Sequence, residues 1–228
     1  LTDFKKAIEI ENTTITLTDD LDINEKVEVK ANNITIDGAS HQINIISNAS
    51  TNDGTNTSSL VVKSKNAVIS NLTINNDTTK PGLTLYGAEN VELSNIQIVG
   101  KDPATVKDKK DRSGVALDIY KTTVKLKNMK YANSLYRDVQ VRGGSQVEIL
   151  SKNVHSTGVV HIQSIKKENE ADNVIVDNSD LYLAGVEFEA NGETKVDYFL
   201  KIEKEATTID DILKNIQTGG TVITLQND

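Results

Sequence analysis

Two stretches of the chain say nearly the same thing. Leu60 to Ile74 reads LVVKSKNAVISNLTI, and Leu83 to Ile98 reads LTLYGAENVELSNIQI. With Asn71 laid on Asn95, Asn66 falls on Asn90, Ile69 on Leu93, Leu72 on Ile96 and Ile74 on Ile98, a period of 24 residues. Apolar and polar residues alternate within each copy, as strands require, and the alternation breaks at a Ser-Asn pair where the chain bends. A unit of two or three short strands cannot bury its inner face alone, so copies at this spacing must stack on one another.

The pattern continues. Val115 to Tyr131 and Val139 to Val154 repeat it, the second with a slipped frame, and the long interval before the first holds an insertion from Gly100 to Ser113. Asn71, Asn95, Asn128 and Asn153 recur at the same bend. Asn tolerates the left-handed backbone, and its amide can bond the Asn of the next copy, so the spacing predicts an Asn ladder. Polar stretches at Ser47 to Ser59, Gly100 to Gly114 and Ile165 to Asn173 carry no apolar period and read as protruding loops.

Thr2 to Glu11 has helical spacing, with Thr2 or Asp3 as N-cap and Phe4, Ala7 and Ile8 on one face. Such a helix suits the open end of a stack, whose first strands would otherwise expose a hydrophobic interior and free sheet edges. Thr207 to Ile216 is amphipathic in the same way, and Thr224 to Asn227 falls on Thr16 to Asp19. The reading is therefore a main domain over 1–206 and a C-terminal helix and strand over 207–228, either an end cap or the start of a next tandem module. A chain beginning Leu-Thr is expected to be a piece of something longer.

Asn33 to Ile45 reads NITIDGASHQINI. The run Ile34, Ile36, Asp37, Gly38, closing through His41 and Ile43, resembles the first coils of pectate-lyase-like right-handed parallel β-helices. It is similar in particular to the pectate-lyase-like adhesive domains of Gram-positive bacterial surface proteins, over roughly Leu1 to Ile46. The expected fold is thus all-β: a right-handed parallel β-helix, a solenoid, with a short N-terminal capping helix and a short C-terminal helix. The resemblance implies a secreted, cell-surface or cell-wall module for adhesion or glycan binding, non-catalytic, beside tandem neighbours. Its alternatives are a calcium-dependent lyase of an acidic polysaccharide and a purely structural spacer.

A net charge of −8 argues against nucleic acid or an anionic membrane as partner. With no cysteine there is no disulfide frame and no thiolate zinc site, and no apolar stretch is long enough for a spanning helix. A lyase needs a base, usually Arg or Lys, and acids that hold Ca²⁺ against the uronate carboxylate. The candidates are Arg142 or Arg137 as base, with Asp118 and Asp138 as ligands. Without the lyase reading no cofactor or metal is expected: Asp19, Asp20 and Asp22 lack a closing Glu, and His155 and His161 lack a third ligand.

Strand alternation offers a second surface. Thr84 and Tyr86, Asp118 and Tyr120, Gln140 and Arg142, then His161 and Gln163 are outward pairs on successive copies. In register they make one stripe, and Tyr86, Asp118, Tyr120, Gln140, Arg142 and His161 are its expected ligand-binding residues, for a glycan or host-surface ligand.

Overall fold

The structure, a computed structural model, describes residues 1–47, 58–106, 114–135 and 137–150, and beyond them the strands 154–155, 160–165, 173–177, 186–191, 195–201 and 221–222. Helix α1 (Thr2–Ala7) is followed by β1 (Thr14–Thr16), β2 (Leu21–Ile23), β3 (Val27–Val29), β4 (Thr35–Asp37), β5 (Gln42–Ile45) and β6 (Leu60–Val62). Then come β7 (Val68–Asn76), β8 (Leu83–Tyr86), β9 (Val91–Val99), β10 (Leu117–Tyr120), β11 (Thr123–Lys127), β12 (Lys130–Ala132) and β13 (Val139–Arg142). The last are β14 (Gln146–Leu150), β15 (Val154–His155), β16 (Val160–Ile165), β17 (Asn173–Asp177), β18 (Val186–Asn191), β19 (Lys195–Lys201) and β20 (Thr221–Val222).

These strands form two sheets, and every strand pair is parallel. The first runs β1, β4, β7, β9, β11, β14, β17, β19, β20, with β2, β5, β12 and β15 paired alongside; the second runs β3, β6, β8, β10, β13, β16, β18. The chain thus visits the sheets in turn, each visit adding a strand parallel to the one before. The overlay read from the sequence is the hydrogen-bonded register of β7 on β9: Ile69 opposite Leu93, Leu72 opposite Ile96, Ile74 opposite Ile98.

Register makes the core. Ile36, Ile69, Leu93, Leu126 and Ile149 follow one another across the first sheet, and Val29, Val62, Leu85, Ile119 and Val141 across the second. All are buried and belong to one cluster. Thin aliphatic columns rich in β-branched residues suit a pleated surface, and each such side chain taken out of water stabilises by about 1.5–3 kcal/mol. Tyr131, aligned with Ile98, is the largest fully buried side chain among the described residues.

The N-terminal helix is shorter than expected. Leu1, not Thr2 or Asp3, is its N-cap, without a side-chain cap bond, and it ends at Ala7 with Ile8 as C-cap. Phe4 and Ile8 join the core cluster, but Ile10 is 59% exposed, so no apolar contact remains to hold a further turn. The expected helix over 207–216 and the tail's repeat of the head lie outside the described residues.

Asn95 Nδ2 donates to Asn71 Oδ1 at 3.0 Å, and Asn128 Nδ2 to Asn95 Oδ1 at 2.6 Å. All three have positive φ, 56°, 54° and 50°, so the bend and the amide bonds use the same residue. Asn71 in turn donates to Asp37 Oδ1, which anchors the ladder; Asn153 lies outside the described residues. A second ladder, not foreseen, links Asn12, Asn33, Asn66 and Asn90 by amide bonds of 3.0, 2.8 and 3.2 Å, again all at positive φ. Asn95→Ala, which loses both ladder bonds and strains the left-handed backbone, is expected to cost about 2 kcal/mol, and Asn95→Gly, which loses only the bonds, about 1 kcal/mol. Urea midpoints check this; equal stability of both variants with the parent would mean that the ladder is decorative.

Candidate functional site

The second sheet carries the expected stripe at the C-terminal ends of its strands. Tyr86 is opposite Tyr120, and Tyr120 opposite Arg142. Val29 pairs Val62 and Val62 pairs Leu85, which extends the same column back through Lys63 to Lys30. Ile165 and then Asn191 continue it beyond Arg142. The side chains meet along the column: the Tyr86 and Tyr120 ring centroids are 4.9 Å apart at 39°, the Arg142 guanidinium lies 4.9 Å from the Tyr120 centroid, and the Lys63 ammonium 5.5 Å from that of Tyr86. Lys121 adds an ammonium 5.3 Å from the Tyr120 ring. Both rings are half-buried, so part of each stays open to solvent between flanking cations. Gly143 makes room for this, since a Cβ there would stand 2.7 Å from Tyr120 Cε2.

Three expectations about the stripe need correction. Asp118 and Thr84 were to face solvent, yet both are buried, at 1% and 0% exposure. Thr84 Oγ1 accepts the Ser58 N–H at 2.9 Å. Arg142 reaches diagonally back across the strand pair and grips Asp118 with two bonds, Nε to Oδ1 at 2.8 Å and Nη2 to Oδ2 at 2.7 Å. Diagonal neighbours on a sheet face are within reach of so long a side chain, and the bidentate fork covers the carboxylate. Burial pushes the Asp118 carboxyl up, against the pull of Arg142, and the guanidinium is held protonated by its bonds to Asp118. Secondly, Asp138, named with Asp118 as a metal ligand under the lyase reading, is not open to solvent. It precedes β13, is 2% exposed, and its Oδ1 accepts a bond from the Ser134 hydroxyl, while the buried Tyr131 phenol is pushed up by burial and by this nearby carboxylate. Thirdly, Gln163 rather than His161 stands opposite Gln140, two residues out of the expected frame.

At the other end of the column Glu28 collects three ammonium groups, Lys30 at 2.6 Å, Lys63 at 2.7 Å and Lys26 at 3.1 Å. Partial burial pushes its carboxyl up, but the hydrogen bonds from these lysines outweigh it and hold the pKa at about 2 instead of 4.5. A depressed acid stabilises the fold above its unfolded pKa, and that share is lost as pH falls from 4.5 towards 2. Solvent screening reduces the gain to about 1 kcal/mol. Glu28→Gln is expected to be less stable by that amount at neutral pH and to converge on the parent in acid; urea midpoints that stay parallel across this range would contradict it.

A groove of about 460 Å³ lies along the Asn ladder, lined by Asn71, Asn95 and Asn128 together with Asp37, Gln97 and Lys130. Sequence reasoning found the ladder but not the groove beside it, because side-chain alternation does not reveal surface curvature. The turn after Asp37 also lines it: Asp37 Oδ1 accepts the Ala39 N–H and the Asn71 amide, which hold its carboxyl below the usual range. His41 Nδ1 lies 3.5 Å from Asp20 Oδ1, and Asp20 and Asp22 accept bonds from the Gln42 N–H and the Asn44 amide. Arg137 is half-buried next to Asp138. Among the described residues no three His, Asp or Glu side chains converge as a metal set, and no helix is long and apolar enough to cross a membrane.

Comparison of the chain with protein-family models, with curated proteins and with solved structures finds no match.

Proposed function

We propose that the chain is a right-handed parallel β-helix that serves as a non-catalytic adhesion or glycan-binding module of a bacterial cell-surface protein, with the Tyr86–Tyr120–Arg142 column as its binding ledge. The observation that carries this reading is the column itself: two adjacent, half-open tyrosine rings flanked by cations and by Gln140, on consecutive paired strands. Aromatic faces offer sugar rings an apolar platform, and the polar neighbours supply direction. Right-handed crossovers between parallel strands of one sheet are the rule, which supports the handedness. The resemblance of Leu1 to Ile46 to pectate-lyase-like adhesive domains supports the extracellular setting and tandem neighbours. A net charge of −8 speaks against nucleic acid as partner.

The lyase alternative has less behind it. Its base would be Arg142, a guanidinium that Asp118 keeps protonated, and its metal ligand Asp118 is already bonded to that base. A glycan array probed with the parent and with Tyr86→Ala/Tyr120→Ala tests the proposal, together with absorbance near 235 nm on uronate polysaccharides with and without Ca²⁺. Selective binding lost in the double variant is expected. A calcium-dependent absorbance rise would replace this reading with the lyase, and no binding at all would leave a spacer.

A further inference from the structure

We infer that the ledge takes an anionic glycan and grips its acid groups directly through ammonium and guanidinium groups. The inference rests on the glycan-binding reading above and adds the charge of the ligand. The chain has 33 acidic and 25 basic side chains, so its surface is negative on average. The column departs from that average: Lys30, Lys63, Tyr86, Tyr120 and Arg142 follow one another in register with no carboxylate among them. Lys121 stands beside Tyr120, and Lys26 turns to the same end as Lys30.

Among the described residues, few acids face these groups. Glu28 meets Lys26, Lys30 and Lys63 together, Asp118 is covered by Arg142, and Glu9 lies near Lys30. Among the described side chains, five cations therefore face three carboxylates, on a chain whose overall balance is the reverse. The local field is positive, and two ring faces lie inside it. Paired strands are about 4.8 Å apart, so Lys63 and Arg142 lie roughly 15 Å apart across the column. A sugar chain lying across the strands would rest on Tyr86 and Tyr120 and meet a cation on either side of them. Because the positive charge is on the protein itself, such binding needs no bridging divalent ion.

The test is calorimetric titration of the full 228-residue chain with dextran, dextran sulfate and polygalacturonate, with and without EDTA, at low and high salt. We expect at least one acidic polymer to bind about tenfold or more tightly than dextran, with affinity falling as salt rises. Whether sulfate, carboxylate or both are accepted names the acid group. Lys63→Glu and Lys121→Glu should each weaken binding about threefold or more; Lys121 is exposed, so its replacement leaves the core intact. Dextran bound as well as the acidic polymers would overturn the inference while leaving the glycan reading in place. Acidic polymers bound only when EDTA is omitted, or bound equally by both charge-reversed variants, would also overturn it. If none of the three polymers binds, the inference falls, and the array result decides separately whether the glycan reading falls with it.

Discussion

Arg142→Ala should destabilise the chain by about 3 kcal/mol at neutral pH, the low end of the roughly 3–5 kcal/mol lost when a buried ion pair is broken from one side. The low end applies because the Arg142 side chain keeps 24% of its exposure while that of Asp118 keeps 1%. The loss comes from the partner left behind, a carboxylate without a countercharge in a site that water barely reaches. It can relieve itself by taking up a proton. Burial already raises the Asp118 pKa in the parent, and removing Arg142 raises it further. A carboxyl raised in the folded state loses stability as pH climbs through the window above its unfolded value, so the deficit of the variant should shrink in acid and be largest above neutral pH. Replacing both partners, Asp118→Leu with Arg142→Met, should recover most of the loss, because the cost lies in the orphaned charge rather than in the missing attraction. Urea denaturation across pH checks all three points. A loss independent of pH would mean that Arg142 acts through packing over Tyr120 and not through Asp118.

Gly38→Ala should be comparably severe, about 3 kcal/mol. A Cβ at Gly38 would stand 2.2 Å from the Cβ of Leu72, 2.6 Å from the Asn71 carbonyl oxygen and 2.9 Å from the Leu72 Cα. None of these is the end of a flexible side chain. They belong to the bend of β7, which is fixed from both sides: Gly38 N–H donates to the Ser70 carbonyl and Ser40 N–H to that of Asn71, both at 2.8 Å. Relief requires the turn to move away from the ladder, and overpacking of this kind costs about 1–3 kcal/mol or more. The neighbouring position is an internal control. Ala39 sits at φ 49°, so Ala39→Gly should be neutral or slightly stabilising. Thermal melts of the two variants should move apart; a Gly38→Ala chain as stable as its parent would mean that the turn does not pack on Leu72 as described.

These two sites show where sequence reading succeeds and where it stops. Alternation and the Asn overlay reach the pairing of β7 with β9 because a period of two and a left-handed Asn both leave marks in one dimension. The Asn66-on-Asn90 match carried the second ladder too, but its next members, Asn33 and Asn12, sit before shorter strands whose spacing hides the repeat. Alternation tells which face a residue leaves the strand from, not where a long side chain ends. Asp118 and Arg142 were correctly placed on one face and then read as open, although the guanidinium folds back and buries its partner. The slip at His161 has a related cause: between β13 and β16 the chain departs from the assumed spacing, and one surplus pair of residues shifts the frame without changing which residues face inward. Close approach at Gly38 left no trace beyond an Asp-Gly turn.

The proposed ligand lies on the Tyr86–Tyr120 ledge. Two of the chain's six tyrosines stand there, whereas Tyr131 is buried in the core. The most direct test is a nuclear magnetic resonance titration of chain labelled in its tyrosine rings and its asparagine amides, with dextran sulfate and polygalacturonate oligosaccharides as probes. Saturable shifts of the Tyr86 and Tyr120 ring signals are expected, with Tyr131 unmoved. Saturable binding that leaves both ledge rings unshifted, and moves instead the amides of Asn71, Asn95 and Asn128, would contradict it and place the ligand in the groove along the ladder.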